Sequence, residues 1–301
     1  MAFTDVGSGP AVLLLHGFPF SSLQWRHLVP VLAARSRVIV PDLLGAGASS
    51  MPSDRPLDAT AQAGYVRELL AKLGIDRLAV VGHGAGGAVA QLLVLDQPGV
   101  EAVVLLNPDL LDAPRPVAER AGFAHVDTPE AVVSAIRAVL GEGARQRARI
   151  TDELIRAYTD PYLNHPGVLS RGAADDRGDL VGRSPELEAI EAPILILWGE
   201  DDPFVPTQEA DRLNESIPSS TLGLLPGCGH FLPDEAPETL VPLIAEYLRA
   251  MYLRAPHGHD DGAKDGVVML QLERRPPWVD LAEDEADDWF VDDDDEKESS
   301  S

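Results

Sequence analysis

The chain has 301 residues, 45% of them apolar, which is enough for one large α/β domain with an insertion, or for two domains of ordinary soluble composition. The formal net charge of −25 divides into −12 on residues 255–301 (16 acidic, 4 basic) and −13 on the other 254 (33 acidic, 20 basic). Both parts are acidic, which argues against nucleic acid and anionic membrane as partners, and the single cysteine, Cys228, rules out an intrachain disulfide.

In chain order, Ala11–Leu15 is a short apolar run after a Gly-Ser-Gly-Pro turn and predicts a buried strand. Ser22 to Ala34 has helical apolar spacing at Leu23, Trp25, Leu28, Val29, Val31 and Leu32, with Ser21 or Ser22 as candidate cap. Arg37–Val40 is a β-branched run closed by Pro41. Thr60–Leu73 predicts a helix stopped by Gly74. Leu78–Val81 predicts a strand, Ala85–Leu95 a helix and Ala102–Leu106 a strand. Later come strands at Ile194–Trp198 and Thr221–Leu225, and a last helix over Pro237–Leu253. Strands alternating with helices predict right-handed βαβ units and a parallel sheet. The near-continuous apolar strands fit a sheet covered on both faces.

Residues Asp109 to about Ile190 break this rhythm. Helix-like pieces at Pro129–Leu140 and Asp152–Tyr158 stand between Pro, Gly and charged stretches with no strand signal, as in a helical insertion. From Ala255 the chain turns Gly-, His- and Asp-rich and ends in an acidic run, a composition expected to be largely disordered. Within it Val267–Leu272 could form a short strand. Trp278 to Phe290 places two tryptophans and a Phe in acidic sequence, a candidate protein contact. The N-terminus has neither a basic n-region nor an apolar h-region. No apolar run approaches the ~20 residues that span a bilayer. With one cysteine, these features predict a cytoplasmic protein.

The stretch Leu78-Ala-Val-Val-Gly-His-Gly-Ala-Gly-Gly87 reads as strand, tight turn and helix start. It resembles the nucleophile elbow, G-x-Nuc-x-G, of the α/β-hydrolases, with Gly82 and Gly86 on the glycine positions and Gly84 where Ser, Asp or Cys is expected. Four other motifs carry the same resemblance over residues 1 to about 254. His16-Gly-Phe-Pro19 resembles the oxyanion loop, and Pro41 to Ser49 the glycine-rich loop after the next strand. Trp198-Gly-Glu-Asp-Asp-Pro-Phe-Val-Pro206 resembles the acid loop, at Asp202. Gly227-Cys-Gly-His-Phe231 resembles the histidine loop, at His230. The order nucleophile, acid, histidine is that of the superfamily.

The resemblance implies an α/β-hydrolase fold. It has a mostly parallel central sheet flanked by helices, a helical cap insertion and here an acidic tail. The expected division is core over 1–108, cap over 109–190, core over 191–254 and tail over 255–301. The cap position and His-Gly-Phe-Pro are similar to the epoxide hydrolase, dehalogenase and small-ester hydrolase branch. Departures are plain: dehalogenases of this type place Trp after the nucleophile, where Ala85 stands. Both they and epoxide hydrolases need an aspartate at position 84.

A histidine held by a buried carboxylate keeps one tautomer and accepts a proton near neutral pH, the roles expected of His230 and Asp202. Backbone N–H groups of Phe18 and Ala85 would form the oxyanion hole, each such donor worth about 3–4 kcal/mol. His16, Gly17, His83, Tyr158 and Tyr162 complete the expected ligand-binding set. The two tyrosines stand where epoxide hydrolases place cap tyrosines that protonate the ring. Loss of a triad nucleophile lowers turnover by about 10⁶, so covalent catalysis at position 84 is excluded.

Three functions remain compatible with these residues. His230 and Asp202 act as a general base on a water or on a proton of a small organic ligand (an ester, lactone or carbonyl compound); or the protein is a catalytically inactive ligand binder; or a nucleophile comes from elsewhere, with Ser21, Ser22 and Cys228 as candidates. Each residue also has a plainer role. Gly84 can relieve backbone strain, His16 and Ser49 can hold loops, His83 can pack behind the elbow, and Cys228 can be a small buried side chain. No cofactor or metal is expected. His257, His259, Asp260 and Asp261 could only bind a metal without outer support. Oligomeric state and ligand identity stay open.

Overall fold

Four strands in the middle of the sheet are buried along their whole length. They are β2 (Ala11–Leu15), β4 (Leu78–His83), β5 (Val100–Leu106, with only Glu101 partly exposed) and β6 (Ile194–Gly199). Such runs have no polar face to give to water, so helices must cover both sides. With β1 (Phe3–Val6), β3 (Arg37–Pro41) and β7 (Ser220–Leu225) they form a seven-stranded sheet in the order β1-β3-β2-β4-β5-β6-β7. Every pairing is parallel except β1 with β3. The computed structural model describes residues 1–111, 123–174 and 181–253, all within one compact unit, Met1–Gly266.

Helices α1 (Leu28–Ala33), α2 (Ala59–Lys72) and α3 (Ala85–Asp96) follow β2, β3 and β4. Asp58 caps α2 by accepting from Ala61 N–H, and Gly74 follows its C-cap at φ +66. Between β5 and β6 the described residues contain helices only: α4 (Pro129–Gly143), α5 (Asp152–Thr159), α6 (Gly167–Ala174) and four 3₁₀ turns. Thr128 and Thr151 cap α4 and α5. Helices α7 (Thr207–Ser216), α8 (Leu232–Glu235) and α9 (Pro237–Leu248) complete the described fold.

Three expectations are corrected. The helix expected over Ser22–Ala34 is two pieces, a 3₁₀ turn at Ser22–Trp25 and α1. In one continuous helix the Pro30 ring would meet the carbonyl of Arg26, four residues back, and the break falls there. Neither serine caps it: Ser21, the N-cap of the turn, makes no side-chain cap hydrogen bond. The last helix ends at Leu248 and continues as a π turn over Arg249–Leu253. Strand β1 was not expected, because it is an exposed edge with polar Thr4 and Asp5 in its middle. Its register on β3, reinforced by the Arg37–Asp5 ion pair at 2.8 Å, exists only once the sheet forms. The segments Val267–Leu272 and Trp278–Phe290, the acidic run and the His257–Asp261 group lie outside the described residues.

Candidate active site

The loops that follow β2, β4, β5, β6 and β7 leave the sheet at the carboxyl ends of parallel strands, where ligands bind in open α/β sheets. The turn from β4 to α3 is very tight. A Cβ on Gly82 would stand 2.5 Å from the Gly86 carbonyl, and one on Gly86 would strike the backbone of Leu15 and His16. Both positions therefore require glycine. Gly84 differs. A Cβ there would meet only Gly17 Cα at 3.6 Å and His230 Nε2 at 3.7 Å, ordinary contact distances. Its backbone, however, lies at φ 51, ψ −120, a conformation that side-chain-bearing residues adopt only under strain. Crowding does not impose glycine at position 84, while conformation favours it.

Opposite this turn, His230 Nδ1 and Asp202 Oδ2 lie 2.8 Å apart, both side chains almost wholly buried. Asp202 Oδ2 also accepts from Asn107 Nδ2 at 2.7 Å, and Oδ1 accepts from the N–H groups of Phe204 and Val205 at 2.8 and 3.1 Å. The carboxylate is surrounded by donors, so it is the acceptor and Nδ1–H of His230 donates. That leaves the Nε2 lone pair facing Gly84 in the neutral imidazole. Burial pushes the Asp202 carboxyl up, but the His230 charge and these hydrogen bonds outweigh it and hold it below the usual range. Burial likewise pushes His230 down, and the Asp202 charge and hydrogen bond reverse this, leaving it above the ordinary value of 6.5. Phe204 and Phe231 meet the imidazole edge-on, at centroid distances of 5.3 and 5.1 Å.

His16 is fixed from both sides. Nε2 accepts from Leu43 N–H at 2.9 Å, so Nδ1 carries the proton and donates to the Gly17 carbonyl at 2.9 Å. Burial lowers its pKa and keeps it neutral. His83 donates from Nε2 to the His230 carbonyl at 2.9 Å, while its Nδ1 is buried without a hydrogen-bond partner. Burial, helped by the neighbouring His230, pushes its pKa down to about 3. His83 thus packs behind the elbow, and a Cβ on Gly17 would stand 2.6 Å from its Nδ1. Ala85 is the first residue of α3, so its N–H has no acceptor within the helix. Phe18 and Ala85 both line a cavity of about 50 Å³ with His16, Asp109, Val168 and Gly172, room for a few waters or a small group.

Tyr158 and Tyr162, expected to face a ligand, are buried elsewhere. The Tyr158 hydroxyl donates to Asp234 Oδ2 at 3.0 Å, and Arg26 donates to Oδ1 of the same buried carboxylate at 2.6 Å. Tyr162 makes only a 3.5 Å contact with the Phe20 carbonyl. Neither tyrosine, nor His83, nor His230 is among the cavity's lining residues. Ser49 holds its loop as expected, donating to the Asp42 carbonyl at 2.5 Å and accepting from Ala2 N–H at 2.8 Å. Cys228 is buried and its thiol is pushed up to about 12, chiefly by burial, which opposes thiolate formation.

Sequence reasoning missed Asn107, Asp109 and Glu235. Asn107 sits at the end of β5 at φ 37 and bridges Asp202 to Gly199 N–H. Asp109 N–H donates to the Gly84 carbonyl at 2.8 Å, and the residue lines the cavity beside the elbow. The Asn-Pro-Asp run after β5 carried the only signal, and its pattern reads as a turn. Among the described residues no group of three or more His, Cys, Asp or Glu could hold a metal ion, and no helix is long and apolar enough to cross a membrane.

Known proteins share this fold. The family model for the alpha/beta hydrolase fold matches residues 10–237. The chain is 30% identical to the soluble epoxide hydrolase of Corynebacterium sp. (strain C12), over 80% of this chain and 91% of that protein. It is also 30% identical to the magnesium-chelatase 30 kDa subunit of Rhodobacter capsulatus, over 81% and 89%. Among solved structures, a thermophilic esterase from Thermogutta terrifontis superposes with a TM-score of 0.71 at 26% identity, covering 83% of this chain and 93% of that one. A buried histidine–carboxylate pair set against a strand–turn–helix elbow, at the ends of parallel strands, thus comes with a family match over most of the described core: the chain belongs to the alpha/beta hydrolase fold family.

Proposed function

We propose that this protein binds a small, uncharged organic ligand of ester, lactone or carbonyl type and acts on it by general-base catalysis without a covalent intermediate. One observation carries this: His230 Nε2, its lone pair freed by the Nδ1–Asp202 hydrogen bond, lies 3.7 Å from where a Gly84 Cβ would be. In the proposed reaction His230 takes a proton from a water as its oxygen adds to the carbonyl carbon. The N–H groups of Phe18 and Ala85 hold the resulting oxyanion, and the imidazolium, stabilised by Asp202, returns the proton to the leaving alkoxide. A ligand with an acidic C–H would instead lose that proton to His230, giving elimination or isomerisation.

The choice of an uncharged ligand comes from the cavity wall. It is mostly apolar, with Phe18, Phe20, Leu43, Leu44, Val89 and Val168 among its residues, so a charged ligand would lose its hydration there without compensation. In this reading the helical segment 109–190 is a cap over the site, and Cys228 remains reduced in a cytoplasmic setting. The test is a panel of neutral esters and lactones with the unmodified protein and His230→Ala. Turnover lost by about 10²–10⁴ in the variant is expected. No turnover by either protein sinks the proposal.

A second function, ligand binding without catalysis, is favoured by two observations. His230 is only 1% exposed and does not line the cavity. One relative is named as a magnesium-chelatase subunit rather than as a hydrolase. Binding alone predicts a ligand that raises the melting temperature equally in the unmodified protein and in His230→Ala.

A further inference from the structure

Five residues after His230, the sequence Phe-Leu-Pro-Asp-Glu places Glu235 at the end of the short helix α8. Its side chain is not turned to solvent: the residue is 2% exposed. Oε2 accepts from Gly229 N–H at 3.0 Å and Oε1 from Phe231 N–H at 2.9 Å, the N–H groups of the two residues that flank His230. Oε2 also accepts from Arg145 and Gln146 N–H at 2.6 and 3.1 Å, in the turn that leaves α4. One carboxylate therefore holds four backbone donors from two segments about 85 residues apart in sequence.

Other contacts follow the same seam. His230 N–H donates to the Gly143 carbonyl at 3.0 Å, and Gln146 Nε2 donates to the Gly227 carbonyl at 2.8 Å. A Cβ on Gly229 would strike the Gly143 carbonyl, and one on Gly143 would stand 2.5 Å from the Phe204 ring, which itself packs on His230. No helix or strand joins the two backbones here, so their alignment depends on a buried acceptor that can serve both at once.

We infer that Glu235 is a positioning residue for His230: its carboxylate clamps the histidine loop to the end of α4 and so fixes the direction of Nε2 toward Gly84. This rests on His230 being the reactive base. It makes the α4 end of the helical segment part of the base's support rather than a mobile flap. The cavity lining instead takes Val168 and Gly172 from α6 and no residue from the α4 end. The Glu235 charge also acts directly on the imidazole, as a minor contribution beside burial and Asp202.

The test needs no turnover, so its failure is distinct from failure of the general-base proposal. Hydrogen exchange on the full chain reads the clamp in the unmodified protein. The amides of Gly229, Phe231, Arg145 and Gln146 are expected to be slowed together, by about 100-fold or more over free-chain rates. Exchange of Arg145 and Gln146 at free-chain rates overturns the inference. NMR titration of His230 then reads the positioning in Glu235→Gln, which keeps the size but replaces one acceptor oxygen by a donor. Its protonation constant is expected to fall about threefold, with weakening of the downfield Nδ1–H resonance shared with Asp202. A folded Glu235→Gln protein with both signals unchanged also overturns it. If that variant does not fold, the exchange result alone decides.

Discussion

At the scale of single residues, His230 is set by opposing forces: burial disfavours its charge, while Asp202 favours it more strongly. Only the neutral imidazole is a base, so the proposed activity should rise with pH through the raised His230 value. Asp202→Asn, which removes the charge, should move that limb to lower pH and reduce the rate; a pH–rate profile of the two proteins checks this. The same pair contributes to stability in a defined window. The raised His230 value gives stability that is present below 6.5 and lost as pH rises through the folded-state value. The depressed Asp202 value gives stability present above 3.8 and lost as pH falls through the folded-state value. His83 acts in the opposite sense. Held neutral at about 3 in the fold, it favours the unfolded chain as pH falls below 6.5. His83→Gln is expected to flatten that acid limb by up to about 1.4 kcal/mol per pH unit, measurable by urea unfolding from pH 6.5 to 4. Gly84→Ser should cost about 1–3 kcal/mol, because the elbow conformation remains strained for serine. It should nevertheless gain esterase activity with a burst of first product, since its Cβ meets nothing closer than 3.6 Å and points toward Nε2. Rapid-mixing kinetics with an activated ester checks it.

At the scale of elements, the β4–α3 turn is the tightest part of the site. Gly86→Ala would push a Cβ into the backbone of Leu15 and His16, atoms that cannot rotate away. A loss of about 3 kcal/mol, read as a lowered urea midpoint at unchanged slope, is the expected outcome. Alternation of strands and helices was legible because the period of apolar residues is local. The sheet's central strands read as unbroken apolar runs, and α2 carried its own stop signal in Gly74. Elements whose form depends on partners were not legible. β1 has no apolar alternation of its own and is a strand because β3 offers it an edge. The two pieces around Pro30 share one apolar pattern that proline sterics divides.

For the whole molecule, ligand binding should stabilise the fold by mass action, about 2.7 kcal/mol at a hundredfold excess over Kd, which a thermal shift series reads directly. An uncharged ligand should shift the melting temperature more than its carboxylate analogue, given the mostly apolar cavity wall. The sequence by itself determined the family pattern, the six parallel strands in chain order with the helices α2, α3 and α9, and the identity of Gly84, Asp202 and His230, because these reside in local spacing and residue type. Only the tertiary structure decided which atoms meet. It turned Nε2 toward Gly84, surrounded Asp202 with Asn107 and two backbone donors, drew Tyr158 away to Asp234, and buried Glu235 between two loops. The physical reason is one of range. Periodicity records whether a residue faces water or the core, but a buried carboxylate is tolerated only where distant donors converge on it, and that convergence is a property of the folded chain.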